Sequence, residues 1–110
     1  MPIHRIYAHL SCRSLDASLD WFARLFDRAP DARPMTGLAE WHHEGRAGLQ
    51  LFENPDDAGR GTLTLIVRDL ATEHARLDAA NLAPGPLERG DSVSLVRLRD
   101  PDGNLVVLAE

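Results

Sequence analysis

The chain has 110 residues, 44% hydrophobic, 26% charged and 5% aromatic, the balance of one globular domain and not of a disordered, collagenous or membrane chain. Twelve basic residues, all arginine, stand against 17 acidic ones for a formal charge of −5, so the basic face that nucleic-acid binding requires is not expected. No run approaches the ~20 apolar residues that cross a bilayer, and the lone Cys12 excludes an intrachain disulfide. The thiol count and the lack of an apolar leader in MPIHRIYAHL fit a cytoplasmic protein with no membrane partner.

From Ile3 to Cys12, Ile6, Ala8, Leu10 and Cys12 alternate with Tyr7, His9 and Ser11, the two-residue period of a strand. The period then changes. Ser14 is placed to cap a helix whose Leu15, Leu19, Phe22 and Phe26 share one face, with Asp16 in the first turn. Pro30 and Pro34 end that helix and read as a connection. Leu38 to His43 forms a strand, Glu44-Gly45-Arg46 a turn, and Gly48 to Glu53 another strand. Asn54 to Gly61 reads as a linker.

The order then recurs. Thr62, Thr64, Ile66 and Arg68 alternate with Leu63, Leu65 and Val67, and Asp69 caps a helix carrying Leu70, His74, Leu77 and Asn81. Pro84-Gly85-Pro86 breaks the chain. Val93 to Leu98 is extended, Asp100-Pro101-Asp102-Gly103 makes a turn, and Leu105 to Ala109 closes as a strand. A shift of 55 residues lays Arg13-Ser14-Leu15 on Arg68-Asp69-Leu70, the mark of an internal duplication. The fold class is α+β, with helices on one side of mixed sheets. Cys12 falls on the core-facing phase, as a buried inert thiol.

Two stretches, AHLSCRSLDASLDWFARLF with Ser18, Trp21 and Phe22, and the C-terminal DPDGNLVVLAE, resemble the vicinal oxygen chelate superfamily. It includes glyoxalase I, extradiol dioxygenases and bleomycin- and fosfomycin-resistance proteins. The resemblance spans the chain and implies one domain of two βαβββ modules, about 1–56 and 57–110, whose curved mixed sheets enclose a cavity. Metal-dependent members place a His on the first strand of a module and a Glu on its last. By that resemblance the positions fall here on Tyr7 and Gln50 in module one and Thr62 and Val107 in module two. None is a standard ligand and Val107 has no donor atom, so no metal cofactor is expected. A displaced divalent site built from His9, His42 or His43, and Glu40 or Gln50 is the alternative.

The ligand-binding set implied on the concave faces is Tyr7, His9, Trp41, Gln50, Phe52, Thr62, Thr64, Leu105 and Val107, apolar with a few polar groups, as small-molecule pockets are lined. Trp41 either stacks on ligand, in which case its truncation weakens binding, or packs in the core. His4 and His74 read as surface residues. The expected function is a metal-free, dimeric binding protein for a drug or metabolite, of the kind that gives antibiotic resistance. The alternative is a metal-dependent glyoxalase-like lyase or isomerase or an extradiol-type dioxygenase, or acid–base chemistry by His9 and Tyr7. Whether the chain is an enzyme stays open at this point.

Overall fold

A computed structural model describes residues 1–110. The first half runs β1 (Ile6–Cys12), α1 (Leu15–Phe26), β2 (Ala32–Met35), β3 (Leu38–His43) and β4 (Ala47–Glu53); the second runs β5 (Thr62–Ile66), α2 (Leu70–Ala79), β6 (Glu88–Arg89), β7 (Ser94–Arg99) and β8 (Leu105–Ala109). Each half makes one four-stranded mixed sheet, in the orders β1-β4-β3-β2 and β5-β8-β7-β6. In each, the first strand lies parallel to the last and the remaining pairs are antiparallel.

The helices start where the capping residues place them. Ser14 accepts from the Ala17 amide, and Asp69 from the amide and hydroxyl of Thr72, which satisfies amides that the first turn leaves without partners. The duplication extends further than the sequence pattern reveals. Glu53, at the end of β4, accepts the Leu15 amide at 2.9 Å, and Glu110, just after β8, accepts the Leu70 amide at 3.0 Å. Each half thus pins the start of its helix to the end of its last strand. Arg24 of α1 donates to the Ala80 carbonyl, and Arg76 of α2 to the carbonyls of Arg24 and Leu25. Each helix thereby supplies a cation to the other's C-terminal carbonyls, the favourable end for positive charge.

Several expectations change. The stretch read as a connection carries β2, Ala32–Met35, which can hold Pro34 because it is an edge strand needing few amide donors. The short β6 is also new, and β7 lies one residue later than read. The second helix stops at Ala79, and Asn81 has φ of 61°, the left-handed conformation that asparagine tolerates after a helix. On β1 the apolar face is only half covered: Leu10 and Cys12 are buried, Ile6 and Ala8 exposed. His74 is half-buried and its Nε2 bonds the Gly85 carbonyl at 2.9 Å, so it fixes the α2–β6 loop instead of facing solvent freely.

One core of 18 buried residues runs through both halves, from Leu10, Phe22 and Trp41 to Leu77, Val96 and Val106. The halves are joined by the turn between β7 and β8. Asn104, fully buried, donates to the Ser11 carbonyl of β1 at 2.9 Å and to Asp100 Oδ2 at 2.7 Å, and accepts the Gly61 amide at 2.8 Å. Asp102 accepts from the Arg13 amide and guanidinium and from the Ser18 hydroxyl. Gly59, with φ of +87°, lies so close that an added Cβ would sit 2.4 Å from the Asp102 carbonyl oxygen. Gly103, at φ of +95°, closes the turn itself.

Asn104→Ala would leave the Ser11 carbonyl and the Gly61 amide without these partners in the core. A stability loss of about 2–4 kcal/mol is expected, read as a lower urea midpoint at unchanged slope. A change below half a kcal/mol would show that the turn does not hold the halves together. Cys12 is fully buried, and its thiol is pushed up to about 11, first by burial and then by the nearby Asp102 and Glu53 carboxylates. It should resist iodoacetamide at pH 8 in native protein and react within minutes in urea.

Candidate functional site

The side of the first sheet away from α1 carries a chain of polar side chains across three strands. Strand register places His9 opposite Gln50 and Gln50 opposite Glu40. The Gln50 amide donates to Glu40 Oε2 at 2.9 Å, and His42 Nε2 pairs with Glu40 Oε1 at 3.0 Å. At the other end His9 Nδ1 lies 3.5 Å from Gln50 Oε1, the outer limit of a hydrogen bond. Tyr7 meets the His42 ring edge-on at 5.9 Å, and Phe52 lies beside His9 at 6.1 Å. The result is a strip His42–Glu40–Gln50–His9 flanked by two aromatic rings.

Glu40 is the centre of this strip. Its side chain is only 11% exposed, yet both carboxylate oxygens have partners, as a buried charge requires. Hydrogen bonds from Gln50, then from His42, hold its carboxyl below the usual value of 4.5. It is therefore ionised at neutral pH and fixes the Gln50 amide and the His42 ring. A small polar pocket of about 190 Å³, bordered by His9, Ser11, Asp57, Arg60 and Gly61, continues the strip toward the loop before β5.

Of the residues expected to line the site, Tyr7, His9, Gln50 and Phe52 share this face. Thr62, Thr64, Leu105 and Val107 share the corresponding face of the second sheet, in the pairs Thr62 with Leu105 and Thr64 with Val107. Trp41 does not join them. It alternates with Glu40 and His42, is 2% exposed, packs on Phe22 and Phe26, and donates Nε1–H to the Arg28 carbonyl at 3.0 Å. Trp41→Ala is accordingly expected to lower stability by about 3–5 kcal/mol, measured by denaturant unfolding. Unchanged stability would return Trp41 to the ligand site.

The two sheets form no closed barrel. A cavity of about 630 Å³ lies on the helix side between β1, β5 and the ends of the helices, lined by Ala8, Trp41, Leu49, Leu63 and Leu65. It forms there because α1 leaves the start of β1 uncovered.

The four positions that the superfamily uses for metal are brought onto matching faces. Tyr7 and Gln50 sit diagonally across the parallel β1–β4 pair, and Thr62 and Val107 sit in the same relation across β5–β8. Their donors do not fit a divalent metal: a phenol, an amide, a hydroxyl and an alkyl group replace imidazole and carboxylate. The displaced alternative fares no better. His9 and His42 lie at opposite ends of the strip, and no three His, Cys, Asp or Glu side chains converge.

Glu40 and His42, weighed in the sequence only as displaced metal ligands, prove to be the structural centre of the face. Arg97 and Arg99 of β7 stand on the second face and were not singled out; their alternation with the apolar Val96 and Leu98 was the available signal.

No protein-family model matches the chain, and no curated protein matches its sequence. Solved structures do. A glyoxalase/bleomycin resistance protein from Catenulispora acidiphila is 27% identical with a TM-score of 0.88, the match covering 96% of each chain. A bleomycin-binding protein solved with bleomycin is 19% identical, TM-score 0.80, covering 96% of this chain and 97% of that one. A lactoylglutathione lyase from Agrobacterium tumefaciens is 21% identical, TM-score 0.79, covering 100% of this chain and 95% of that one. Two helix-backed mixed sheets in this arrangement define the glyoxalase/bleomycin-resistance fold. That is the fold of the vicinal oxygen chelate superfamily, which this chain resembles along its length.

Since the Glu40 carboxyl is depressed in the folded state, its contribution to stability is present above about pH 4.5 and lost as pH falls through the lower folded value. Glu40→Gln should flatten the acid limb of the thermal midpoint measured from pH 3 to pH 7. An acid limb as steep as wild type would mean that other carboxyls govern it.

Proposed function

We propose that the protein is a metal-free binding protein for a small organic molecule, a drug or metabolite, held on the open faces of the two sheets. The observation that carries this reading is the ionised Glu40, held by Gln50 and His42 on a face where metal-dependent relatives would need metal donors. Tyr7 and Phe52 supply apolar surface beside this fixed polar strip, the combination that orients a small ligand. The likeness to a bleomycin-binding protein supports the drug-like class of ligand, and with it a role in antibiotic resistance.

The single chain leaves both faces uncovered, and a homodimer would cover them. Ile66, exposed on the second face beside Thr64, favours burial. A reducing, cytoplasmic setting suits the unpaired Cys12. A second reading, acid–base catalysis, rests on the Glu40–His42 pair beside Tyr7. The divalent-metal lyase or dioxygenase reading has no donor set to support it.

The test is calorimetry of the untagged protein with Zn, Ni, Mn and Fe, followed by a screen of drug-like molecules. No stoichiometric metal uptake is expected, together with a ligand whose affinity falls on Gln50→Ala. Tight metal binding lost on His9→Ala would overturn the metal-free reading, and turnover lost on Glu40→Gln would favour catalysis. Light scattering across a dilution series should show a dimer at micromolar concentration. A monomer would remove the shared cover.

A further inference from the structure

Strand β7 places Arg97 and Arg99 two residues apart, so both side chains stand on the open face, roughly 7 Å apart along the strand. Val96 and Leu98 are buried on the helix side. Register across β5, β8 and β7 extends this into two rows, Thr64–Val107–Arg97 and Thr62–Leu105–Arg99. Each row runs from a hydroxyl over an aliphatic floor to a guanidinium.

Both arginines are tethered and still available. Arg97 Nη1 is held by Glu88, and Arg99 Nη1 donates to the Gly103 carbonyl at 3.1 Å. A guanidinium has five N–H donors in a fixed fork, so an edge of each remains free of partners within the chain. Tethering orients that edge in advance, which lowers the entropy lost on binding. Two arginines against one Glu88 leave the cluster at +1, on a protein whose overall charge is −5. A paired N–H edge matches a carboxylate or similar oxyanion.

We propose that the second face is an anion-recognition subsite. Arg97 and Arg99 take a monoanionic carboxylate or sulfonate, while the ligand's apolar body lies on Leu105 and Val107 within reach of the Thr62 and Thr64 hydroxyls. The inference rests on the binding-protein reading above and names its ligand class, an organic monoanion.

The probe is anilinonaphthalene sulfonate, a fluorescent monoanion with an aromatic body, titrated against full-length protein beside the neutral dye Nile red. The Arg97→Gln, Arg99→Gln double variant should bind the sulfonate about tenfold more weakly, through lost charge-assisted hydrogen bonds, and Nile red within about twofold of wild type. Benzoate should displace the sulfonate better than benzamide does. If the double variant melts early, Arg99→Gln alone gives the same reading, because its partner is a backbone carbonyl. Unchanged sulfonate affinity in the arginine variants, or equal displacement by benzamide, overturns the subsite. If the arginine variants are silent but Gln50→Ala weakens either dye, the binding-protein reading survives without an anion site. If neither face responds to any variant, both fail.

Discussion

The architecture depends on the turn Asp100 to Asn104. Two helix-backed four-stranded sheets could fold side by side in many relative positions, because apolar burial is non-directional. Asn104 removes that freedom. Its amide reaches the Ser11 carbonyl of the first sheet while its oxygen takes the Gly61 amide, and Asp100 holds it from within the turn. Asp102 extends the same turn to Arg13 and Ser18, at the start of α1. Such a buried network is specific because any other docking would leave its groups without partners in a low-dielectric core. At the far side, the crossed arginines Arg24 and Arg76 close the joint through helix carbonyls.

With the halves so fixed, the duplication divides into what is kept and what has diverged. The kept features concern folding: N-caps at Ser14 and Asp69, strand-end carboxylates at Glu53 and Glu110, and the parallel pairing of first and last strands. The diverged features lie on the faces away from the helices. One presents His9, Gln50, Glu40 and His42, the other Thr62, Thr64, Arg97 and Arg99. One scaffold thus offers an anionic, imidazole-rich surface and a cationic, hydroxyl-bearing one. The diagonal positions that the family resemblance assigns to metal ligands persist as geometry, while here they carry a phenol, an amide, a hydroxyl and an alkyl group. Fold and function separate here at the level of single side chains.

Much of this was legible from sequence. The alternation on β1 and β5, the capping residues, the turn at Pro101 and Gly103 and the order of elements carried their own local signals, and the DPDGN motif carried the resemblance to the superfamily. Strand β2 was hidden because Pro30 before it and Pro34 within it read as a connection, and β6 because two residues carry no period. Trp41 was ambiguous because an aromatic residue on a strand suits either face until its neighbours are known; burial against Phe22 and Phe26 decides it.

The sequence by itself determined both helices and six of the eight strands, where the helices begin, and that the usual metal donors are missing. Those properties follow from periodicity, capping and side-chain chemistry, which are local. Only the tertiary structure decided that Asn104 ties the halves, that Glu40 sits between Gln50 and His42, that Arg97 and Arg99 align with Thr64 and Thr62, and that a cavity of about 630 Å³ lies on the helix side. Those depend on which strands lie side by side and in what register, and that is settled by packing between residues far apart in the chain.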